Sequence, residues 1–66
     1  MKRTSIVDED GILVWARLKE LYILHAALNE ICNGIDIFEF ETRIGASLDE
    51  MNRIMVDLGE IIDATE

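Results

Sequence analysis

The segment from Gly11 to Leu28 constrains the fold most, because its apolar residues are almost uninterrupted. Its polar side chains are Arg17, Lys19, Glu20 and His25. If this segment is a helix, the helix is apolar on nearly every side and has to be buried on nearly every side. Two further short helices of the same chain cannot cover it. The sequence therefore predicts that a second polypeptide packs on this helix.

The spacing of apolar residues and of stop signals predicts three helices. The first runs from about Glu9 to Asn33 and follows an extended or flexible arm at residues 1–7. A short second helix runs from about Ile37 to Ile44, and a third from about Leu48 to Ala64. The expected architecture is all-α: a single small helical domain, residues 1–66, with a long first helix.

Capping chemistry supports these boundaries. Gly45 suits the left-handed conformation that ends many helices. Asp36 with Glu39, and Ser47 with Glu50, have the spacing of a capping box, in which two side chains bond to the free backbone N–H groups of a helix start. The third helix is amphipathic, with apolar residues at helical spacing: Leu48, Met51, Ile54, Met55, Leu58, Ile61 and Ile62.

Chain length favours a partner that is a second copy. A single core of this size contributes about 3–5 kcal/mol of folding stability at best. Small domains therefore usually need further stabilisation by disulfides, a metal ion or a partner chain. The one cysteine forms no intrachain disulfide, and one His with one Cys does not make a zinc site. We therefore expect a helical homodimer, the simplest closed assembly. Its interface is predicted along the first helix: Val14, Trp15, Leu18, Leu21, Tyr22, His25, Leu28 and Cys32.

No catalytic group, metal site or cofactor site is predicted. His25 and Cys32 lie seven residues apart, about 10.5 Å along a helix axis, too far for a nucleophile–base pair within one chain. Asp8, Glu9 and Asp10 suit a helix start and lack the pattern of a calcium loop. The lack of a catalytic constellation predicts a non-enzymatic protein. The free thiol, the lack of a secretory signal pattern and the lack of a long apolar run predict a cytoplasmic one.

The charge of −8 is concentrated in one half of the chain. Residues 1–35 hold five acidic and four basic side chains, whereas residues 36–66 hold nine acidic and two basic ones. Such a balance repels phosphate and favours basic partners, although it also serves solubility. We expect binding to a basic protein surface and no direct binding to nucleic acid or membrane, through these carboxylates: Glu39, Glu41, Asp49, Glu50, Asp57, Glu60 and Asp63.

The chain is similar in size, charge and helicity to small acidic dimers of phages and bacteria that block nucleic-acid-binding proteins by imitating DNA. The resemblance implies a regulatory or inhibitory function. A structural or assembly subunit, a chaperone, or an antitoxin-like adaptor that binds through the first helix are the alternatives.

Residues 37–58 also resemble the helix-turn-helix of DNA-binding regulators. Gly45 occupies the turn, and Phe40, Ile44, Ala46, Met51 and Ile54 occupy apolar positions of that motif. The pattern departs from the family at Glu41, where a small residue is usual. It also departs on the exposed side of the reading helix, which carries Asp49, Glu50 and Asp57 against a single Arg53. A helix-turn-helix regulator is thus a further alternative.

Overall fold

The computed structural model describes residues 1–34 and 39–66. Within these ranges the chain forms an antiparallel hairpin of β1 (Lys2–Val7) and β2 (Ile12–Trp15), followed by helix α1 (Leu18–Asn29). Helices α2 (Phe40–Ile44) and α3 (Leu48–Thr65) complete the described fold. The structure is mostly helical but not all-α, so the predicted fold class is wrong.

The residues of the predicted extended arm form β1, and β2 replaces the first turns of the predicted long helix. The Asp8 carboxylate accepts hydrogen bonds from the N–H groups of Asp10 and Gly11, each at 2.8 Å, and the Asp8 N–H donates to the Gly11 carbonyl at 3.0 Å. An Asx-type turn of this kind reverses the chain. Asp8 therefore stabilises a turn. The prediction that Asp8, Glu9 and Asp10 lie at a helix start is wrong.

Helix α1 consequently begins at Leu18, nine residues after the predicted start at Glu9. The Glu20 carboxylate accepts the Arg17 N–H at 2.9 Å, which satisfies a free donor of the first turn. At its other end α1 continues into a π-helical turn, Glu30–Gly34. The described helical segment thus reaches Gly34, one residue beyond the predicted end at Asn33.

The boundary between α2 and α3 is confirmed. Gly45 has a φ of 83° and closes α2 with a hydrogen bond from its N–H to the Glu41 carbonyl at 2.8 Å. The Glu50 N–H donates to Ser47 Oγ at 3.1 Å, and the Ser47 N–H donates to Glu50 Oε1 at 3.0 Å. This capping box starts α3 at the predicted residue.

Part of the prediction for the second helix lies outside the described residues. Its expected start at Ile37 and the capping partner Asp36 belong to the segment 35–38. Glu39, the other half of that predicted cap, has a left-handed backbone with a φ of 53°.

The core lies between α1 and α3. Among the described residues, Met51 and Ile62 are the buried side chains, at 9% and 5% exposure, and both belong to the apolar side of α3. Gly59 allows the two helices to approach closely, because a Cβ at that position would lie 3.3 Å from His25 Nε2. A core this small leaves most of the apolar surface of the chain in contact with solvent.

Candidate binding surfaces

The side of α3 opposite the core carries a continuous charged surface. It is lined by Asp49, Glu50, Asp57 and Glu60, together with one base, Arg53. All four carboxylates are exposed. Helical spacing brings them to one side because residues three, four and seven apart share a face. We call these four carboxylates the acidic face.

The remaining predicted carboxylates are exposed but do not line this surface. Glu39 precedes α2, Glu41 lies in α2, and Asp63 lies in the last turns of α3. The structure therefore brings together four of the seven residues predicted to bind a partner. Within the residues it describes, no ion pair to any of the seven is found, and the one salt bridge joins the Met1 ammonium to Glu20.

One member of the acidic face also has a structural task. Glu50 accepts the Ser47 N–H in the capping box of α3, so its replacement would disturb the helix start. The side chains of Asp49, Asp57 and Glu60 make no hydrogen bond within the described part of the chain. Asp49 lies in the first turn of α3, where a negative charge stabilises the helix. Asp57 and Glu60 are therefore the residues through which recognition can be tested with the least effect on the fold.

The charge density of the acidic face sets a limit on what one chain can imitate. From Asp49 to Glu60 the helix rises about 16.5 Å, and the net charge over that length is −3 when Arg53 is included. This is about one charge per 5.5 Å, against about one per 1.7 Å for duplex DNA. Two such faces side by side would halve the spacing to about 2.75 Å per charge, whereas a single face is a moderate acidic patch.

A second surface is apolar and lies where the hairpin meets the helices. It is a groove of about 550 Å³. Several of the side chains that line it are strongly exposed, among them Trp15 at 49%, Val14 at 45% and Ile61 at 53%. We call it the apolar groove, and its lining residues are Met1, Val14, Trp15, Ala16, Leu18, Leu21, Leu24, Leu58, Ile61 and Thr65.

The residues predicted to form a dimer interface divide between two environments. Val14, Trp15 and Tyr22 are exposed by 45%, 49% and 44%, so their surfaces are available to a partner. The others are half-buried: Leu18, Leu21, His25 and Leu28 in α1, and Cys32 in the π-helical turn. His25 lies against Gly59 of α3, so this part of the predicted interface also contributes to packing within the chain.

Trp15 lies between two cations. The Lys2 ammonium is 5.7 Å from the centre of its ring, and the Arg17 guanidinium carbon is 5.5 Å from it. Both distances are typical of cation–π contacts. The end of the hairpin that is next to α1 is therefore basic, whereas its turn is acidic.

Glu20 makes an ionic contact at the start of α1. The Met1 ammonium bonds to this carboxylate and, with the Arg17 N–H, lowers the pKa of Glu20 below its ordinary value of 4.5. The contact ties the start of β1 to the first turn of α1.

Within residues 1–34 and 39–66, no group of three metal-binding side chains lies close together. None of the helices found there has both the length and the hydrophobicity to cross a bilayer.

The features that sequence reasoning missed are the hairpin and the groove beside it. Met1 reaches that groove beside Val14 and Trp15 because the chain reverses at Asp8–Gly11 and pairs β1 with β2. An available signal was the Asp10-Gly11 pair flanked by β-branched and aromatic residues, which favours a hairpin.

Comparisons of the chain with protein-family models, with curated proteins and with solved structures found no match.

Proposed function

We propose that the protein is a small, non-enzymatic binding protein of the cytoplasm that recognises a basic protein surface through the acidic face. The observation that carries the proposal is the division of α3 into two sides. Its apolar side packs on α1, while the opposite side exposes Asp49, Glu50, Asp57 and Glu60. A regulatory or inhibitory role follows if the partner handles nucleic acid, because the acidic face would compete with phosphate for the same cations.

The proposed active form is a pair of chains. The charge spacing of one acidic face is about three times wider than that of duplex DNA, so effective imitation of a phosphate surface requires a second face. The exposed apolar side chains of the hairpin and of the groove give a reason for two chains to associate.

A lysine- and arginine-rich synthetic peptide provides the test. We expect the chain to bind it, as measured by fluorescence anisotropy at about 50 mM salt, and affinity should fall steeply at about 200 mM. Asp57→Lys with Glu60→Lys should weaken binding at least tenfold, because two attractions become repulsions.

A matched variant separates local recognition from overall charge. Glu30→Lys with Glu66→Lys changes the net charge from −8 to −4, as the first pair does, but at exposed positions outside the acidic face. It should retain most of the affinity. Equal losses for the two pairs would show that overall charge, and not the acidic face, determines binding.

An assembly subunit or chaperone is a second candidate, favoured by the apolar groove. In that case Trp15→Ser and Ile61→Ser would abolish partner binding, while the charge reversals on α3 would leave it unchanged.

The helix-turn-helix alternative makes the opposite electrostatic prediction. The turn at Gly45 fits such a motif, but the exposed side of α3 has three net negative charges, which a DNA groove would repel. We expect no binding to duplex DNA at about 50 mM salt. Salt-sensitive binding to DNA would contradict the acidic-face proposal.

A further inference from the structure

Strand β2 has the composition of an interior strand but lies at an edge. Its four residues, Ile12–Trp15, are all apolar, so both of its faces are apolar. Strands with two apolar faces are usually buried on both. In the described part of the chain β2 pairs only with β1, and its side chains are between 45% and 56% exposed. An isolated two-stranded hairpin is marginally stable in water.

The backbone of β2 offers hydrogen-bonding groups along its outer edge. The Leu13 carbonyl accepts the Thr4 hydroxyl, so the polar backbone groups of Leu13 point toward β1. Because these groups alternate in direction along an antiparallel strand, the N–H and C=O of Ile12 and Val14 point to the outer edge. An unpaired edge of this kind is a template for another strand.

We propose that the occupant of this edge is β2 of a second copy, paired antiparallel to give a four-stranded sheet across the dimer. In the register that uses the outward-facing groups, Ile12 lies opposite Val14 of the partner subunit. The two copies of Leu13 then meet on the two-fold axis. This inference rests on the pairing of chains in the proposed function and assigns the contact that holds the pair together.

The opposite charges at the two ends of the hairpin favour antiparallel pairing of the two β2 strands. The turn beside Ile12 carries Asp8, Glu9 and Asp10, whereas the other end of the hairpin carries Lys2 and Arg17 around Trp15. Antiparallel pairing places the acidic turn of each copy beside the basic end of the other. Parallel pairing would place like charges together. The antiparallel form is also the one that closes by two-fold symmetry.

The exposed area of the chain is consistent with such a contact. A folded monomer of 7.5 kDa is expected to expose about 4,250 Å². This chain exposes 5485 Å². The excess of about 1,200 Å² per chain exceeds the roughly 800 Å² per partner that a stable interface of standard size buries.

Cysteine cross-linking tests the register. In a Cys32→Ala background, Leu13→Cys places two thiols across the axis in a non-hydrogen-bonded pair, where Cα atoms are about 4.5 Å apart. This separation lies within the range of a disulfide. Mild oxidation should convert most of the protein into a covalent dimer of twice the 7.5 kDa chain mass.

Ile6→Cys in the same background is the matched control, because Ile6 is 63% exposed but lies on β1. Its cross-linking should be at least tenfold slower. Equal rates at the two positions would overturn the inference.

Val14→Pro, added to Leu13→Cys, tests the edge hydrogen bonds. Proline is tolerated on a strand edge where the lost N–H faces outward, so the hairpin should persist while cross-linking stops. Undiminished cross-linking in this variant would overturn the proposed pairing. If the variant does not fold, the comparison of Leu13→Cys with Ile6→Cys still decides the matter.

The outcome is separable from that of the proposed function. A chain that is dimeric in solution but does not cross-link through Leu13→Cys would refute the β2 contact alone. A chain that cross-links through Leu13→Cys but does not bind the basic peptide with its acidic face intact would refute the acidic face alone.

Discussion

Two adjacent isoleucines of α3 provide a matched test of where the core lies. Ile62 is 5% exposed and faces α1, whereas Ile61 is 53% exposed and lines the apolar groove. Substitution of either by alanine removes the same three carbon atoms, so any difference in stability reports the environment of the side chain. The comparison needs no knowledge of the partner.

The expected losses follow from burial. Three fully buried carbon groups contribute about 2.4 kcal/mol, at about 0.8 kcal/mol each. Scaled by exposure, this gives about 2.3 kcal/mol for Ile62 and about 1.1 kcal/mol for Ile61. The higher helix propensity of alanine reduces each loss of stability by a few tenths of a kcal/mol. A residual cavity adds to the loss at the buried position.

Ile62→Ala should therefore remove about half or more of the roughly 3–5 kcal/mol that a core of this size supplies. The assay is urea unfolding followed by far-UV circular dichroism at fixed protein concentration. Ile61→Ala should unfold at a distinctly higher urea concentration than Ile62→Ala. Equal midpoints, or a larger loss for Ile61→Ala, would refute the assignment of the core to this side of α3.

Three further outcomes follow from the local geometry. Ser47→Ala should destabilise the chain by about 1 kcal/mol in urea unfolding, since it removes the side-chain acceptor for the Glu50 N–H. Gly45→Val should cost about 1 kcal/mol or more by the same measurement, because its φ of 83° is strained for a β-branched residue although the space around it is open. The Met1 ammonium and the Arg17 N–H lower the pKa of Glu20. The ionic contribution of Glu20 to stability is therefore complete above the ordinary pKa of 4.5, and it is lost as pH falls through the lower pKa of the folded state. The stability difference between the wild type and Glu20→Gln, measured across pH, should therefore shrink on acidification, and a difference that grew would contradict the assigned contact.

The C-terminal half of the fold was predictable because its signals are local. Helix α3 combines an apolar stripe of helical period with a capping box, and both act within a few residues. Gly45 likewise ends α2 through its own backbone conformation. No contact from elsewhere in the chain is needed to specify these boundaries.

The N-terminal half was not predicted because two elements share one apolar run. Ile12–Trp15 and the residues after Leu18 read as a single helical surface, although the first four form a strand. A short apolar run of this kind is ambiguous between strand and helix by periodicity alone. The deciding information was the turn at Asp8–Gly11, whose Asx hydrogen bonds determine where the chain reverses.

The candidate site shows the same contrast between features set by local sequence and features set by packing between distant segments. The acidic face was predictable as far as it lies on α3, because helical spacing alone brings Asp49, Asp57 and Glu60 to one side. The division of the predicted interface residues between half-buried and exposed positions was not predictable, because the side of α1 that meets α3 depends on the packing of two elements distant in sequence. His25 illustrates this, since it lies against Gly59.

One chain exposes more apolar surface than it can cover, so we expect it to pair with a second. Sedimentation equilibrium from low to high micromolar concentration measures this pairing. The molar mass should rise to twice the chain mass of 7.5 kDa and then remain constant. A well-folded species of 7.5 kDa at high micromolar concentration would contradict this expectation.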